Sequence, residues 1–360
     1  MPESVIKTIT LRRLALPLRV PYELSYHTFE TFEPILVEVA LFDGAIGWGE
    51  GHISPGSSKE TRGESWQFVL DMSVELLGNS FDIAQHRIKV EARDRPVVAT
   101  AMTAALEMAN GSDTLKQYAG FTFPLLTPFN AHDDDSIYQE VEDRLAAGFR
   151  TFKIKVGKDV DADLRRLGQI QAVLRGRATL RLDANRAFSL EQGLRFATGL
   201  DPEGIELFEQ PCDANDWESN ARVAESSPVP LMLDEPICSI GDIERAGPLK
   251  NVGYCKLKLK RFGSIAGLEA GLIHVRKLGM RAVLGDGLGA DIACWMEACV
   301  AHRHIDNAGE FNGFLKLSQS LLANPLEFTD GSLAVPADYW PKIENNVLEN
   351  HTVEKRQFKF

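Results

Sequence analysis

Between residues 123 and 312 the chain alternates short strand-like runs with helical stretches eight times over. The runs are FPLLTPF (123–129), TFKIKV (151–156), ATLRLDA (178–184), IELFEQ (205–210), PLMLDE (230–235), YCKLKLK (254–260), RAVLGD (281–286) and AGEFN (308–312). Segments such as DDDSIYQEVEDRLAAGF and IAGLEAGLIHVRKLGM lie between them and carry helical periodicity. Strand and helix in such alternation predict parallel strands joined by crossover helices. Eight units, with no Gly-rich dinucleotide-binding turn among them, predict an α/β fold closed as a TIM-type barrel rather than an open sheet.

Outside the repeat the pattern changes. Residues 1 to about 55 are β-rich, with Asp43-Gly44 as a turn, and Lys59 to about Gln117 is helical and rich in Ala and Met. The expected organisation is an N-terminal α+β domain (1–120), a barrel (121–327) and a C-terminal segment (328–360) that returns to the first domain. A net charge of −12 argues against nucleic acid or an anionic membrane as partner. No run approaches the roughly 20 apolar residues of a spanning helix, and the N-terminus lacks a signal-peptide core, so a cytoplasmic location is expected. Cys212, Cys238, Cys255, Cys294 and Cys299 match no zinc or disulfide framework and read as reduced packing residues.

The charges inside these runs need a reason, because a charge in an apolar strand is costly unless partnered. Asp183, Glu209 and Asp234 end three successive runs at intervals of 26 and 25 residues. Strand C-terminal ends carry the chemistry of such barrels. Three carboxylates without a nearby His or Cys form a hard oxygen site suited to Mg²⁺, with Mn²⁺ as a substitute. Lys153 and Lys155 precede this trio and Lys256, Lys258 and Lys260 follow it. Period-two alternation gives each lysine set one face, directed into the lumen. Two amines flanking a metal-held acid can remove and return a proton on opposite faces of its α-carbon, where a divalent cation stabilises the enediolate.

A lone strand-end acid is usually a helix cap, and a lone strand lysine a surface residue. The set is harder to explain that way, because three acids in successive units are followed by lysines in register. A Schiff-base aldolase using Lys258 would leave the acids without a role. A barrel kept only as a binding module would not need all of them.

With GWGEG, the KIK of Lys153–Lys155, LDAN, FEQP, LDEP and KLKRFGSI in view, the chain resembles the enolase superfamily along nearly its whole length, and within it the muconate-lactonizing-enzyme subgroup. The resemblance implies a (β/α)7β barrel under a capping domain, with Asp183, Glu209 and Asp234 as metal ligands. It implies Lys155 and Lys258 as opposed acid/base residues, Lys153 as electrostatic partner of Lys155, and Asn185 and Glu235 as residues that orient the ligands. The capping domain contributes specificity loops around Val20–Thr28, which includes Tyr26, and Gly51–Ser58. The chain departs from the subgroup after the seventh strand, where Leu284-Gly285-Asp286-Gly287 replaces a Leu-Glu-Ser context. Asp286 is then either a neighbour of Lys258 or a loop residue. The Asp-x-Asp with which dipeptide epimerases hold an ammonium is here Glu310-Phe311-Asn312, which disfavours a standard dipeptide and leaves Glu310 for an amino group or ring nitrogen.

The expected function is Mg²⁺-dependent α-proton abstraction from a small carboxylate, with racemisation or epimerisation of an amino-acid derivative as the leading reaction. Dehydration of a hydroxylated acid of the hydroxyproline kind and muconate-type cycloisomerisation are the alternatives. The resemblance also implies a homo-oligomer, a dimer or an octamer.

Overall fold

The computed structural model describes residues 4–23, 28–54, 59–92 and 94–360, with the side chain of Glu23 also outside the description. Tyr26 and residues 55–58, assigned to the specificity loops, lie outside the described residues.

The first domain is an antiparallel sheet carrying helices. Strand β1 (Ile6–Leu14) is followed by β2 (Leu16–Glu23) and β3 (Thr28–Phe32), which pair as a separate hairpin, and by β4 (Ile35–Leu41) and β5 (Ile46–Gly51). The sequence of β5, IGWGEG, places glycines at 47, 49 and 51 on one face. That face lies directly against the helix Pro96–Ala109. A Cβ on Gly47 would meet the Ala105 carbonyl and one on Gly49 the Ala101 carbonyl, both closer than atoms can approach. The glycine spacing of two along a strand, about 6.6 Å, matches roughly one helical turn, so glycines on β5 pack against the Ala-rich helix at four-residue steps.

The barrel starts with β6 (Phe121–Pro124) and β7 (Thr127–Phe129), where one strand over 123–129 was expected. Only β7 joins the parallel sheet. It is followed by β8 (Thr151–Lys155), β9 (Thr179–Asp183), β10 (Ile205–Glu209), β11 (Leu231–Leu233), β12 (Val252–Leu257) and β13 (Arg281–Leu284), each bonded to the next. β6 instead pairs with the C-terminal hairpin of β14 (Glu327–Thr329) and β15 (Ser332–Val335). The expected eighth strand, 308–312, is reduced to a parallel bridge between Gly309 and Leu125. Backbone bonds from Leu126 to Gly309 and from Glu310 to Leu284 close the gap between β7 and β13. A final strand, β16 (Thr352–Lys359), adds to β1 and ties the end of the chain to the first domain.

The curled parallel sheet with an antiparallel sheet domain before it is the capped α/β barrel that the sequence predicts. Its main core lies between strands and outer helices, while Leu207, Met232, Tyr254 and Val283 form a separate apolar cluster on the opposite strand faces. By alternation these faces also carry Lys153, Asp183, Glu209 and Lys256, so an apolar layer underlies the charged one. No described helix is long and apolar enough to cross a membrane. Four cysteines are buried and Cys238 is exposed, all five free.

Candidate active site

Parallel pairing brings the acids into a row. Asp183 is the register partner of Lys155 on one side and of Glu209 on the other, and Asp234 follows directly on β11. All three carboxylates are nearly fully buried. Gln210, also fully buried, locks two of these strand ends together: its backbone N–H donates to the Met232 carbonyl at 2.9 Å, and its side-chain oxygen accepts from Asp234 N at 2.9 Å. The FEQP motif contained this residue, yet its clamp role required the fold to be seen.

Lysines occupy both ends of the row. Lys155 Nζ lies 2.6 Å from Asp183 Oδ2 and also donates to Asn185 Oδ1. Asn185, held at positive φ, donates its backbone N–H to Asp183 Oδ1 at 2.9 Å, which fixes the carboxylate from the other side. At the far end Lys258 Nζ lies 2.9 Å from Asp234 Oδ2. The Lys155 side chain is 40% exposed and that of Lys258 is 11% exposed.

The expected single row of Lys256, Lys258 and Lys260 does not form. β12 stops at Leu257, and Lys258 is the N-cap of a one-turn helix, Leu259–Phe262. Alternation ends there, so Lys260 turns away and pairs with Asp286. The same turn places Arg261, three residues after Lys258, on Asp234, with Nη1 2.8 Å from Oδ1 and 2.6 Å from the backbone oxygen. Sequence reasoning missed Arg261. Its signal was the i, i+3 spacing from Lys258, legible only once the strand's end is known.

Lys153 sits at the centre. Its Nζ is 2.9 Å from Asp183 Oδ2, 2.9 Å from Glu209 Oε2 and 3.0 Å from Glu310 Oε1. Burial pulls this ammonium down, but the surrounding carboxylates outweigh burial and hold its pKa well above the ordinary lysine value. Lys256 bonds Glu310 from the next position, and the two lysines bring that carboxylate down to about 2 against the effect of burial. Lys258 is also raised: burial and Arg261 lower it, and Asp234, Asp286 and Glu235 more than compensate. Glu235 pairs with Arg186 at 3.3 Å, and burial, with the nearby Asp234 charge, pushes it up to about 7. Asn312 donates to the Leu126 carbonyl at 2.9 Å and accepts from Lys316 Nζ at 2.7 Å.

Among the described residues no three acidic, His or Cys side chains stand together at metal-ligand distances, because lysines hold these acids. The donor set still fits a hard divalent cation. Every group in it is a carboxylate, and both oxygens of the buried Glu209 lack an aligned hydrogen-bond donor.

Comparison with known proteins adds four findings. The family model described as "Enolase C-terminal domain-like" matches residues 136–339. The o-succinylbenzoate synthase of Geobacillus kaustophilus is 30% identical over 291 residues, covering 75% of this chain and 73% of that protein. The L-Ala-D/L-Glu epimerase of Bacillus subtilis is 24% identical over 346 residues, covering 91% of this chain and 93% of its own. In fold, the muconate lactonizing enzyme from Pseudomonas fluorescens complexed with muconolactone superposes with a TM-score of 0.88 at 24% identity, covering 97% of this chain and 99% of that one.

Proposed function

From the premise that this chain belongs to the enolase superfamily, in its muconate-lactonizing-enzyme-like subgroup, we propose that it is an isomerase. In this reading it abstracts the α-proton of a small carboxylate and returns it on the other face, racemising or epimerising an amino-acid derivative. The observation that carries this reading is the position of Lys155 and Lys258 at opposite ends of one row of carboxylates. Relatives named as epimerases and racemases support it.

Asp183, Glu209 and Asp234 would hold Mg²⁺, with Mn²⁺ as a substitute. When bound, that ion supplies positive charge beside the substrate carboxylate, where an enediolate gathers its second negative charge. The chain's own residues do the rest. Lys155 or Lys258, deprotonated, takes the α-proton at Nζ, and the opposite ammonium delivers one to the other face. Asn185 and Gln210 hold the acid row in register, and Arg261 holds Asp234.

Glu310 belongs, in this account, to the charge balance under the substrate, since Lys153 and Lys256 already hold it. Asp286 acts through Lys260. The net charge of −12 favours a small molecule over nucleic acid as the partner, and a cytoplasmic homo-oligomer completes the reading.

Incubation in D₂O with Mg²⁺ and a panel of N-acylamino acids, dipeptides, cyclic imino acids and hydroxy acids tests it. α-Deuteration with inversion is the expected result. An unsaturated or keto product without inversion would replace this reading with a dehydratase.

A further inference from the structure

Lys316 differs from the other lysines at the barrel mouth. Lys153, Lys155, Lys256, Lys258 and Lys260 each pair with a carboxylate. Among the described residues Lys316 pairs with none. Its Nζ donates to the Gly287 carbonyl at 2.8 Å and to Asn312 Oδ1 at 2.7 Å, and it lies 4.4 Å from the centre of the Tyr22 ring. All three contacts orient a cation, but none carries a negative charge.

The three partners come from three parts of the fold. Tyr22 belongs to β2 of the capping domain, Gly287 follows β13, and Asn312 ends the segment that closes the barrel. A backbone bond from Ser318 N to the Pro17 carbonyl, and a bond from the Arg19 side chain to the Leu317 carbonyl, dock β2 onto this corner. Above Gly287 the polar atoms converge. A Cβ on that residue would lie 3.2 Å from Lys316 Nζ, 3.3 Å from Asn312 Oδ1 and 3.3 Å from Tyr22 Oη. Gly287, at φ +74°, lets these three groups approach closely where a side chain would crowd them, and adopts a backbone that side chains disfavour. The cluster adjoins the acid row through the closing segment: Asn312 stands two residues after Glu310, which pairs with Lys153, and Lys153 touches Asp183 and Glu209. Burial lowers the pKa of Lys316 to about 8, as suits a cation whose counter-ion is not supplied by the described chain.

We propose that Lys316, with Asn312 and Tyr22, is a specificity site for a second carboxylate on the substrate, so that the preferred substrates are dicarboxylates. The inference rests on the reading above, in which the acid row and its cation hold the first carboxylate. A charge-assisted bond to an otherwise uncompensated ammonium discriminates strongly, because a substrate lacking the anion leaves that charge unpaired.

The test is calorimetric and needs no turnover. Malonate, succinate, glutarate and adipate are titrated into the Mg²⁺-supplied protein beside propionate, butyrate, valerate and hexanoate. This is repeated with Lys316→Met and Lys316→Gln, whose folding is checked by thermal melting. The Gln variant retains a donor for Gly287 and Asn312. One diacid should bind on the order of tenfold or more tighter than its monoacid in the parent. Both variants should lose that preference while keeping monoacid affinity. Equal binding of diacids and monoacids by the parent, or a preference that both variants retain, would overturn the inference and leave the acid-row reading standing. Failure of every acid to bind would overturn both.

Discussion

Lys155 and Lys258 close the two ends of one carboxylate row, the first 2.6 Å from Asp183 Oδ2 and the second 2.9 Å from Asp234 Oδ2, with Glu209 between them. Four adjacent parallel strands and the turn after a fifth are needed to place these two amines. Their opposition is thus a property of the sheet order and not of any local motif.

Arg261 makes two charge-assisted bonds to Asp234, the same residue that Lys258 contacts. Removing a buried partner of this kind costs about 1.5–3 kcal/mol for a charged hydrogen bond. Arg261→Met should lower the melting temperature and reduce kcat by about tenfold or more. Lys258 would still be present, so an unchanged kcat would remove Arg261 from the positioning machinery.

Glu209 should couple metal to stability. A cation that binds only the folded chain raises the melting temperature as its concentration rises. Titrating Mg²⁺ into the parent and into Glu209→Gln, followed by calorimetric melting, should show a rise in the parent that is absent or much smaller in the variant. Equal rises in both would place the ion elsewhere.

Gly49 tests the contact between β5 and the helix Pro96–Ala109. A methyl group there would come within 1.9 Å of the Ala101 carbonyl, so strand and helix must separate. Gly49→Ala should destabilise the protein by about 1–3 kcal/mol, as overpacking does. Denaturant unfolding measures this directly, and a neutral outcome would show that the capping domain adjusts easily.

Glu50 gives a pH dependence with a defined sign. Its carboxylate accepts from Ala290 N at 2.5 Å and Ala293 N at 3.2 Å, joining the capping domain to the helix Asp291–His304. Burial, only partly opposed by those two bonds, raises its pKa from 4.5 to about 7. Between these values the folded chain holds a proton that the unfolded chain has released, so stability falls as pH rises across the window. Glu107, Glu235 and Glu297 are raised in the same direction, to about 6, about 7 and about 8, and together with Glu50 they outweigh buried His52, whose pKa, lowered to about 3, gives the opposite slope below its ordinary 6.5. Melting curves across that window should slope downward, and Glu50→Gln should make the slope shallower. A slope left unchanged by the substitution would assign it to the other raised carboxylates, Glu107, Glu235 and Glu297.

The alternation of runs and helices sufficed to show the barrel, and the acid spacing showed the row, because both are one-dimensional periodicities. What escaped depended on where strands end. Lys260 belonged by alternation to the Lys256–Lys258 row, but β12 stops at Leu257 and the helical turn sends Lys260 to Asp286 and Arg261 to Asp234. The eighth strand was legible from its place in the repeat, yet it is reduced to a bridge at Gly309, where the backbone bonds of Gly309 and Glu310 to the neighbouring strands close the barrel. Lys316 showed no motif at all. Its partners lie 4, 29 and 294 positions away, at Asn312, Gly287 and Tyr22, and only the folded chain brings them together.

The most direct measurement is α-hydrogen exchange in D₂O, followed by NMR on each antipode of a turned-over substrate. Loss of a positioned acid/base costs roughly 10²–10⁴ in rate. Lys155→Ala should leave exchange with one antipode only, Lys258→Ala should leave exchange with the other, and both should lose net inversion. Retention of exchange with both antipodes in either variant would contradict the two-sided mechanism.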